Sequence, residues 1–297
     1  MRSLKQILLI GMSKKPFYIV PDKLYLKMKY RLRTGNSLNL KNPKRYTEKS
    51  QWIKLYDRKK IYTKMVDKYE SKEFIEKKVG KDYVVETYGI YENFEQIDFE
   101  KLPDKFVIKC THDSGGLVIC KSKKELDIES AKTKIEKSLK NNFYYLGREW
   151  PYKNVKPRII IEELLENDDS SDLIEYNFFC FNGIPRIVMT CHGDKRIKRY
   201  NDFYDMKFNK LDIQCEYATS DKKETKPKQF EKMIEISKKL SKDTYSLRVD
   251  FYIVNDKIKL GELTFFHWAG FCKFTPDKWD YELGKMIKLP IEKKNEK

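Results

Sequence analysis

Two carboxylates near the end of the chain, Asp250 and Glu262, constrain its fold more than any other feature. They sit in two apolar-rich runs, Arg248-Val249-Asp250-Phe251-Tyr252-Ile253-Val254 and Ile258-Lys259-Leu260-Gly261-Glu262-Leu263-Thr264, separated by Asn255-Asp256-Lys257. Such runs flanking a short polar turn predict a β-hairpin. With a three-residue turn centred on Asp256, Asp250 lies opposite Glu262 and Arg248 opposite Thr264. The two-residue period of a strand then puts all four side chains on one face. Opposed residues hold their Cβ atoms about 4.5–5.5 Å apart, where like charges repel. A positive group is therefore expected between the acids. Mg²⁺, which takes carboxylates together with substrate phosphate oxygens, is the natural candidate.

Composition narrows the class. A chain of 297 residues with 40% hydrophobic and 14% aromatic content is globular. Its length allows one large domain or two or three interlocked subdomains. The net charge of +17 comes from 62 Lys+Arg against 45 Asp+Glu. The lysines are spread along the whole length, so they read as solvated surface and not as a nucleic-acid footprint. The positive field still favours anionic substrates such as ATP or acidic sugars. Six cysteines, with no CxxC pair, read as reduced core residues of a cytoplasmic protein. The N-terminal apolar stretch Ile7–Met12 is too short to span a bilayer and lacks a cleavage site. Its basic surroundings allow a peripheral membrane contact.

The chain alternates strands and helices without a regular βαβ rhythm, which predicts an α+β fold. Residues 1–95 read mainly helical, with one helix over Lys49–Tyr69. Residues 96–165 hold strands Phe106–Lys109 and Leu117–Cys120, a helix over Asp127–Leu139, and the buried run Arg158–Leu165. The polar break Asn167–Ser171 starts a last region, 166–297. It opens with a hairpin through Asn182-Gly183, a strong turn signal. A helix over Lys228–Ser241 then leads into the acidic hairpin.

Four motifs bear on chemistry, and each has a plain alternative. The loop Thr111-His112-Asp113-Ser114-Gly115-Gly116 lies between two strands, where paired glycines turn N–H groups into a phosphate nest. Lys109 could add an ammonium there; an ordinary hairpin turn explains the same residues. Glu162 and Glu163 end an apolar strand and could meet adenine and ribose, with Leu164 and Leu165 packing the ring. A strand leaving the core explains them equally. Lys195, Arg196, Lys198 and Arg199 could clamp a triphosphate, or be solvated charge. His112 as a general acid or base is not favoured.

Their order is more informative than any one of them. A Lys-ended strand, a Ser-Gly-Gly loop, an acid-ended strand, a basic cluster, then Arg-x-Asp with Glu twelve residues on resembles the ATP-grasp superfamily, for example D-alanine–D-alanine ligase. Leu40–Lys44, Trp52–Asp57, Tyr145–Tyr152, Phe178–Gly183 and Arg248–Tyr252 resemble the teichuronopeptide-biosynthesis (TupA-like) branch, over roughly residues 35 to 290.

The resemblance implies an ATP-grasp fold, two α+β subdomains gripping ATP, after a helical N-terminal region. It implies that Lys109 contacts an ATP phosphate, that Ser114, Gly115 and Gly116 cover the phosphates, and that Lys195 assists them. Glu162, Glu163, Leu164 and Leu165 would form the adenine–ribose hinge. Asp250, Glu262 and Thr264 would hold Mg²⁺, and Arg248 would face the transferring group. Thr264 replaces a common metal-binding Asn, Asn177 replaces a frequent Lys, and Phe266-His267-Trp268-Ala269-Gly270 replaces a small substrate loop. Bulky aromatics there would reshape the acceptor pocket and stack on a sugar. The implied activity is an ADP-forming carboxylate–amine ligase acting through an acyl phosphate. It would join an amino acid or amino sugar to a uronic acid, free or as a nucleotide sugar, in capsular or cell-surface polysaccharide biosynthesis. Association with polysaccharide-synthesis enzymes at the membrane is a further expectation. The alternatives are a sugar kinase that stops at phosphoryl transfer and a non-catalytic basic glycan- or polyanion-binding module.

Overall fold

The computed structural model describes residues 4–193 and 199–291. Its first part is helical: α1 (Leu4–Gly11), α2 (Asp22–Thr34), α3 (Tyr46–Tyr56), α4 (Ile61–Val66) and α5 (Glu70–Val79). The single helix expected over Lys49–Tyr69 is thus two. At Asp57 the backbone leaves helical geometry, with φ −109° and ψ 85°. Residues 57–60 are all polar and offer no apolar side chain to hold a continuous rod against the core. Restarting at Ile61 lets α4 bury Tyr62, Met65 and Val66.

Four strands follow: β1 (Thr87–Tyr91), β2 (Phe106–Cys110), β3 (Leu117–Cys120) and β4 (Ile159–Glu162). They form an antiparallel sheet in the order β1-β4-β2-β3. β1 lies within the stretch read as mainly helical, but its tyrosines and Ile90 are strand formers, and it pairs with the Ile159–Ile161 run. Between β3 and β4 come α6 (Ile128–Leu139), whose first turn is capped by the Asp127 carboxylate accepting from Ser130 N–H, and the short α7 (Tyr144–Gly147). Ala131 and Ile135 of α6 close a small core with Phe106, Ile108, Ile159 and Ile161.

The remaining strands are β5 (Glu175–Phe181), β6 (Ile184–His192), β7 (Tyr200–Asp205), β8 (Lys210–Leu211) and β9 (Gln214–Cys215). After α8 (Phe230–Ser241) come β10 (Ser246–Val254), β11 (Lys257–Thr264), β12 (Phe274–Thr275) and α9 (Lys278–Met286). A six-stranded antiparallel sheet runs β11-β10-β5-β6-β7-β8, and β12 pairs with β9. α8 packs Phe230, Met233, Ile236 and Leu240 into the larger core with Phe178, Val249 and Phe251. Each such side chain contributes roughly 1.5–3 kcal/mol by leaving water. The fold is α+β, as expected. All six cysteines are free and buried.

The hairpin reaches the expected register by an unexpected route. Its turn has two residues, Asn255 and Asp256, both with positive φ (47° and 61°), so Val254 pairs with Lys257. The ladder then shifts by one residue between Asp250 and Phe251, leaving Gly261 unpaired. Beyond this bulge Asp250 faces Glu262 and Arg248 faces Thr264.

Candidate active site

The face presented by β10 and β11 forms one wall of a cleft of about 690 Å³. Arg248, Glu262 and Thr264 line it, with Ser114 and Lys68 nearby on other elements. The loop after β11, the segment around Gly147, and α2 line it as well.

Arg248 lies between the two acids. Its Nε donates to Asp250 Oδ1 at 2.7 Å and its Nη2 to Oδ2 at 2.6 Å. Nη2 also lies 3.4 Å from Glu262 Oε1 and 3.3 Å from Thr264 Oγ1. Asp250 is fully buried. Across the sheet on β5, the Asn177 amide turns its nitrogen to Asp250 Oδ1 at 2.6 Å. Burial pushes the Asp250 carboxyl up, and the Arg248 guanidinium opposes that push. Glu262 keeps 42% of its side-chain exposure. Burial raises its carboxyl too, but Lys68 and Arg248 outweigh it and hold the group below its ordinary range.

His267 completes the cluster. Arg248 Nη1 donates to its Nδ1 at 2.7 Å. A guanidinium is only a donor, so Nδ1 accepts. Burial, then Arg248 and Arg199, hold the imidazole well below its ordinary value, so it is neutral. Its remaining proton sits on Nε2, facing Cys215 Sγ at 3.7 Å.

The other sequence candidates divide. Ser114 lines the cleft; Gly115 and Gly116 do not. The Gly116 N–H is taken by Asp113 Oδ1 at 3.1 Å. A Cβ on Gly116 would meet Cys110 Sγ at 2.5 Å and Ser138 Oγ at 2.6 Å, so packing against α6 requires this glycine. Lys109 and Glu162, given separate roles from the sequence, form one ion pair: Lys109 Nζ donates to Glu162 Oε2 at 2.6 Å. Lys72 holds Oε1 at 2.5 Å. Burial raises the Glu162 carboxyl, but Lys109 and Lys72 outweigh it and the net shift is downward. Glu163, Leu164 and Leu165 follow β4 outside the lining of the cleft. Lys195 lies outside the described residues, whereas Arg199 lines the cleft and pairs with Glu175 at 2.8 Å. His112 is structural in its contacts: its Nε2 faces Ser138 O and Asn141 O. Lys68, Glu149 and Tyr152 line the cleft without having been singled out as site residues. One lysine in a lysine-rich chain gives no signal. Glu149 and Tyr152 lie inside the string Tyr145–Tyr152, where the signal was present but no role attached to it.

Asp250, Glu262 and Thr264 offer hard oxygen donors on one face, the chemistry Mg²⁺ prefers. Among the described residues no group of three or more His, Cys, Asp or Glu gathers to hold a metal. Glu262 and Thr264 are the donors open to the cleft, and an ion held there would complete its shell with phosphate oxygens and water. Asp250, whose two oxygens accept from Arg248, would join it only by yielding one of those bonds.

The chain is similar to several solved structures. D-alanine–D-alanine ligase from Bacillus anthracis complexed with ATP is 16% identical, with TM-score 0.43, covering 73% of this chain and 57% of that one. The same enzyme from Helicobacter pylori is 16% identical, with TM-score 0.42, covering 82% and 69%. The biotin carboxylase domain of 2-oxoglutarate carboxylase from Hydrogenobacter thermophilus, in complex with MgADP, ADP and bicarbonate, is 14% identical, with TM-score 0.42, covering 92% and 59%. The chain therefore spans little more than half the length of the first of these. No curated protein matches it. The family model described as TupA-like ATPgrasp matches residues 48–288. The chain belongs to the TupA-like ATP-grasp family.

Proposed function

We propose that the protein is an ADP-forming carboxylate–amine ligase. A substrate carboxylate attacks the γ-phosphate of ATP, giving an acyl phosphate and ADP. An amine then displaces phosphate and forms the amide. The observation that carries this reading is the Arg248–Glu262–Thr264 face, backed by the buried Asp250, opening into a cleft shared with Ser114 and Lys68.

Asp250, Glu262 and Thr264 would hold Mg²⁺, which when bound neutralises charge on the phosphates. Arg248, already directed by Asp250 and His267, would meet the transferring phosphoryl group or the tetrahedral oxyanion. Losing one such donor typically costs on the order of 2.7–4 kcal/mol in the barrier. Ser114 would cover the phosphates, and Lys109 would reach them by exchanging Glu162 for a phosphate oxygen.

The acceptor reading is a uronic acid or its nucleotide sugar, joined to an amino acid or amino sugar in cell-surface polysaccharide synthesis. Trp268, 47% exposed, stands beside Tyr217 in the cleft with ring centroids 6.2 Å apart, a surface on which a sugar can stack. Lys29, Arg33 and Arg199 in the same cleft suit an acidic substrate. Peripheral association with polysaccharide-synthesis enzymes at a membrane is part of the reading, supported by the exposed Ile7, Leu8 and Ile10 of α1. Among the described residues no helix is long and apolar enough to cross a membrane.

The test is mass spectrometry of products from ATP, a panel of amino acids and amino sugars, and UDP-uronates. An amide product with ADP is expected. Hydroxylamine trapping separates a ligase, which yields a hydroxamate, from a kinase, which does not. Calorimetry with ATP·Mg²⁺ that shows no binding would leave the glycan-binding module. Asp250→Asn is expected to abolish ADP release with the fold intact by circular dichroism, and full activity in that variant would remove Asp250 from the mechanism.

A further inference from the structure

Glu149 is the most conspicuous acid that this mechanism does not use. It is 4% exposed, yet it lines the cleft. Among the described residues, neither of its oxygens accepts a hydrogen bond or enters an ion pair. A buried carboxylate without a donor is expensive, and such groups in clefts are commonly functional.

The nearest cations are spent elsewhere. Lys54, fully buried, gives its three N–H groups to Ala269 O at 2.6 Å, Gly147 O at 2.7 Å and Gln51 Oε1 at 3.0 Å. Lys29 donates to Leu146 O and reaches Tyr25 Oη at 3.4 Å. Both influence Glu149 through space, and neither bonds to it. The backbone at Glu149 cannot swing to meet them. Arg148 before it takes a left-handed φ of 53°, is itself buried, and donates to Phe17 O at 2.7 Å and Val20 O at 3.2 Å. Gly147 is required for the same arrangement: a Cβ there would meet Glu149 Oε1 at 2.8 Å and Ala269 Cβ at 3.0 Å. The carboxylate is thus seated against a bare Cα. Tyr152 stands within electrostatic reach of both Glu149 and Glu262, which links this acid to the pair across the cleft.

We propose that Glu149 is the docking carboxylate and proton acceptor for the amine co-substrate. This rests on the ligase reading. ATP and a substrate carboxylate bring acceptors; the amine is the reactant that brings N–H donors. The lysines behind Glu149 disfavour a further full positive charge, so the nitrogen is favoured as the free amine. R–NH₃⁺ gives one proton to the Glu149 carboxylate, and the freed lone pair forms the C–N bond as the C–O bond to phosphate breaks. The second N–H proton leaves with the phosphate. Burial pushes the Glu149 carboxyl up to about 7, which suits a base working near neutrality.

The test uses protein carrying ¹³C at the glutamate δ-carbon, with and without ATP·Mg²⁺. The Glu149 resonance is assigned by its absence in Glu149→Gln, or in Glu149→Asp should the amide variant not fold. Ethylamine and glucosamine are expected to shift it saturably. Tetramethylammonium, a cation without N–H, is expected to leave it in place. A resonance that both amines leave unmoved, or that tetramethylammonium moves equally, overturns the assignment. Calorimetric ATP·Mg²⁺ uptake reports separately on the ligase reading. Normal uptake with an unresponsive Glu149 removes this assignment alone. Absent uptake removes the ligase reading together with the co-substrate role, a responsive Glu149 then marking an amine-binding site only.

Discussion

Asp250 cannot reach water, so its ionised form depends on the guanidinium that grips both its oxygens. Removing that partner strands a buried charge, which costs about 3–5 kcal/mol. Arg248→Met is expected to lose that much in urea unfolding, and Arg248→Met with Asp250→Asn to recover most of it. A double variant no more stable than the single would show that the pair is not coupled. Glu149 behaves in the opposite sense. Its folded value, about 7, lies above the ordinary 4.5. The folded state therefore binds more protons than the unfolded state between those values. The resulting stability is full below pH 4.5 and lost as pH rises through 7. Glu149→Gln is expected to stabilise the protein by about 2 kcal/mol at pH 8 and little at pH 5, read from unfolding curves at both. A flat difference across that range would place Glu149 in contact with water. The acid pair and its arginine were legible at this scale, because a period of two and a like-charge opposition are sequence properties. Lys54 and Lys68 were not, because their roles arise from carbonyls distant in sequence, such as Ala269 O and Asp113 O.

At the scale of the hairpin, the register depends on two compensating features. The turn is one residue shorter than the three-residue turn read from the sequence, and the bulge at Gly261 supplies the missing residue. Sequence periodicity located the acids opposite each other but could not distinguish a longer turn from a shorter turn with a bulge. Both give the same pairing at Asp250. They differ in what deletion does. Removing Gly261 from the two-residue hairpin takes out only the unpaired residue, so Phe251 still faces Leu260 and Asp250 still faces Glu262 in a regular ladder. In a three-residue hairpin without a bulge the same deletion would slide Glu262 and Thr264 by one position and turn them to the other face. The expected result is ATP·Mg²⁺ uptake retained, with the helical and sheet content of the circular dichroism spectrum unchanged. Loss of uptake in a folded variant would show that the bulge itself sets the geometry. The Ser-Gly-Gly loop is the contrasting element. Its glycines read as a phosphate nest, yet Gly116 is fixed by Cys110 and Ser138, a packing constraint that only the fold reveals.

Across the whole molecule, apolar exposure is concentrated at the N-terminal helices. Six of the sixteen large apolar side chains exposed among the described residues are Ile7, Leu8, Ile10, Ile19, Leu24 and Met28. Lys5, Lys14, Lys15, Lys23 and Lys27 are exposed around them. Apolar side chains ringed by lysines match the interface of an anionic bilayer, where burial of the apolar groups and attraction of the charges add. The same helices border the cleft, since Leu9, Ile10 and Ser13 line it together with Lys29 and Arg33 of α2. Docking there would bring the mouth of the cleft to the headgroups. Co-sedimentation is expected with vesicles rich in phosphatidylserine and not with pure phosphatidylcholine, weakening as salt rises because the Debye length shrinks. Ile7→Asp with Leu8→Asp should abolish it while leaving ATP·Mg²⁺ uptake intact, since neither side chain lines the cleft. Binding that survives this double substitution would place the membrane contact elsewhere on the basic surface. Absence of binding to either vesicle would remove the peripheral membrane contact from the proposal.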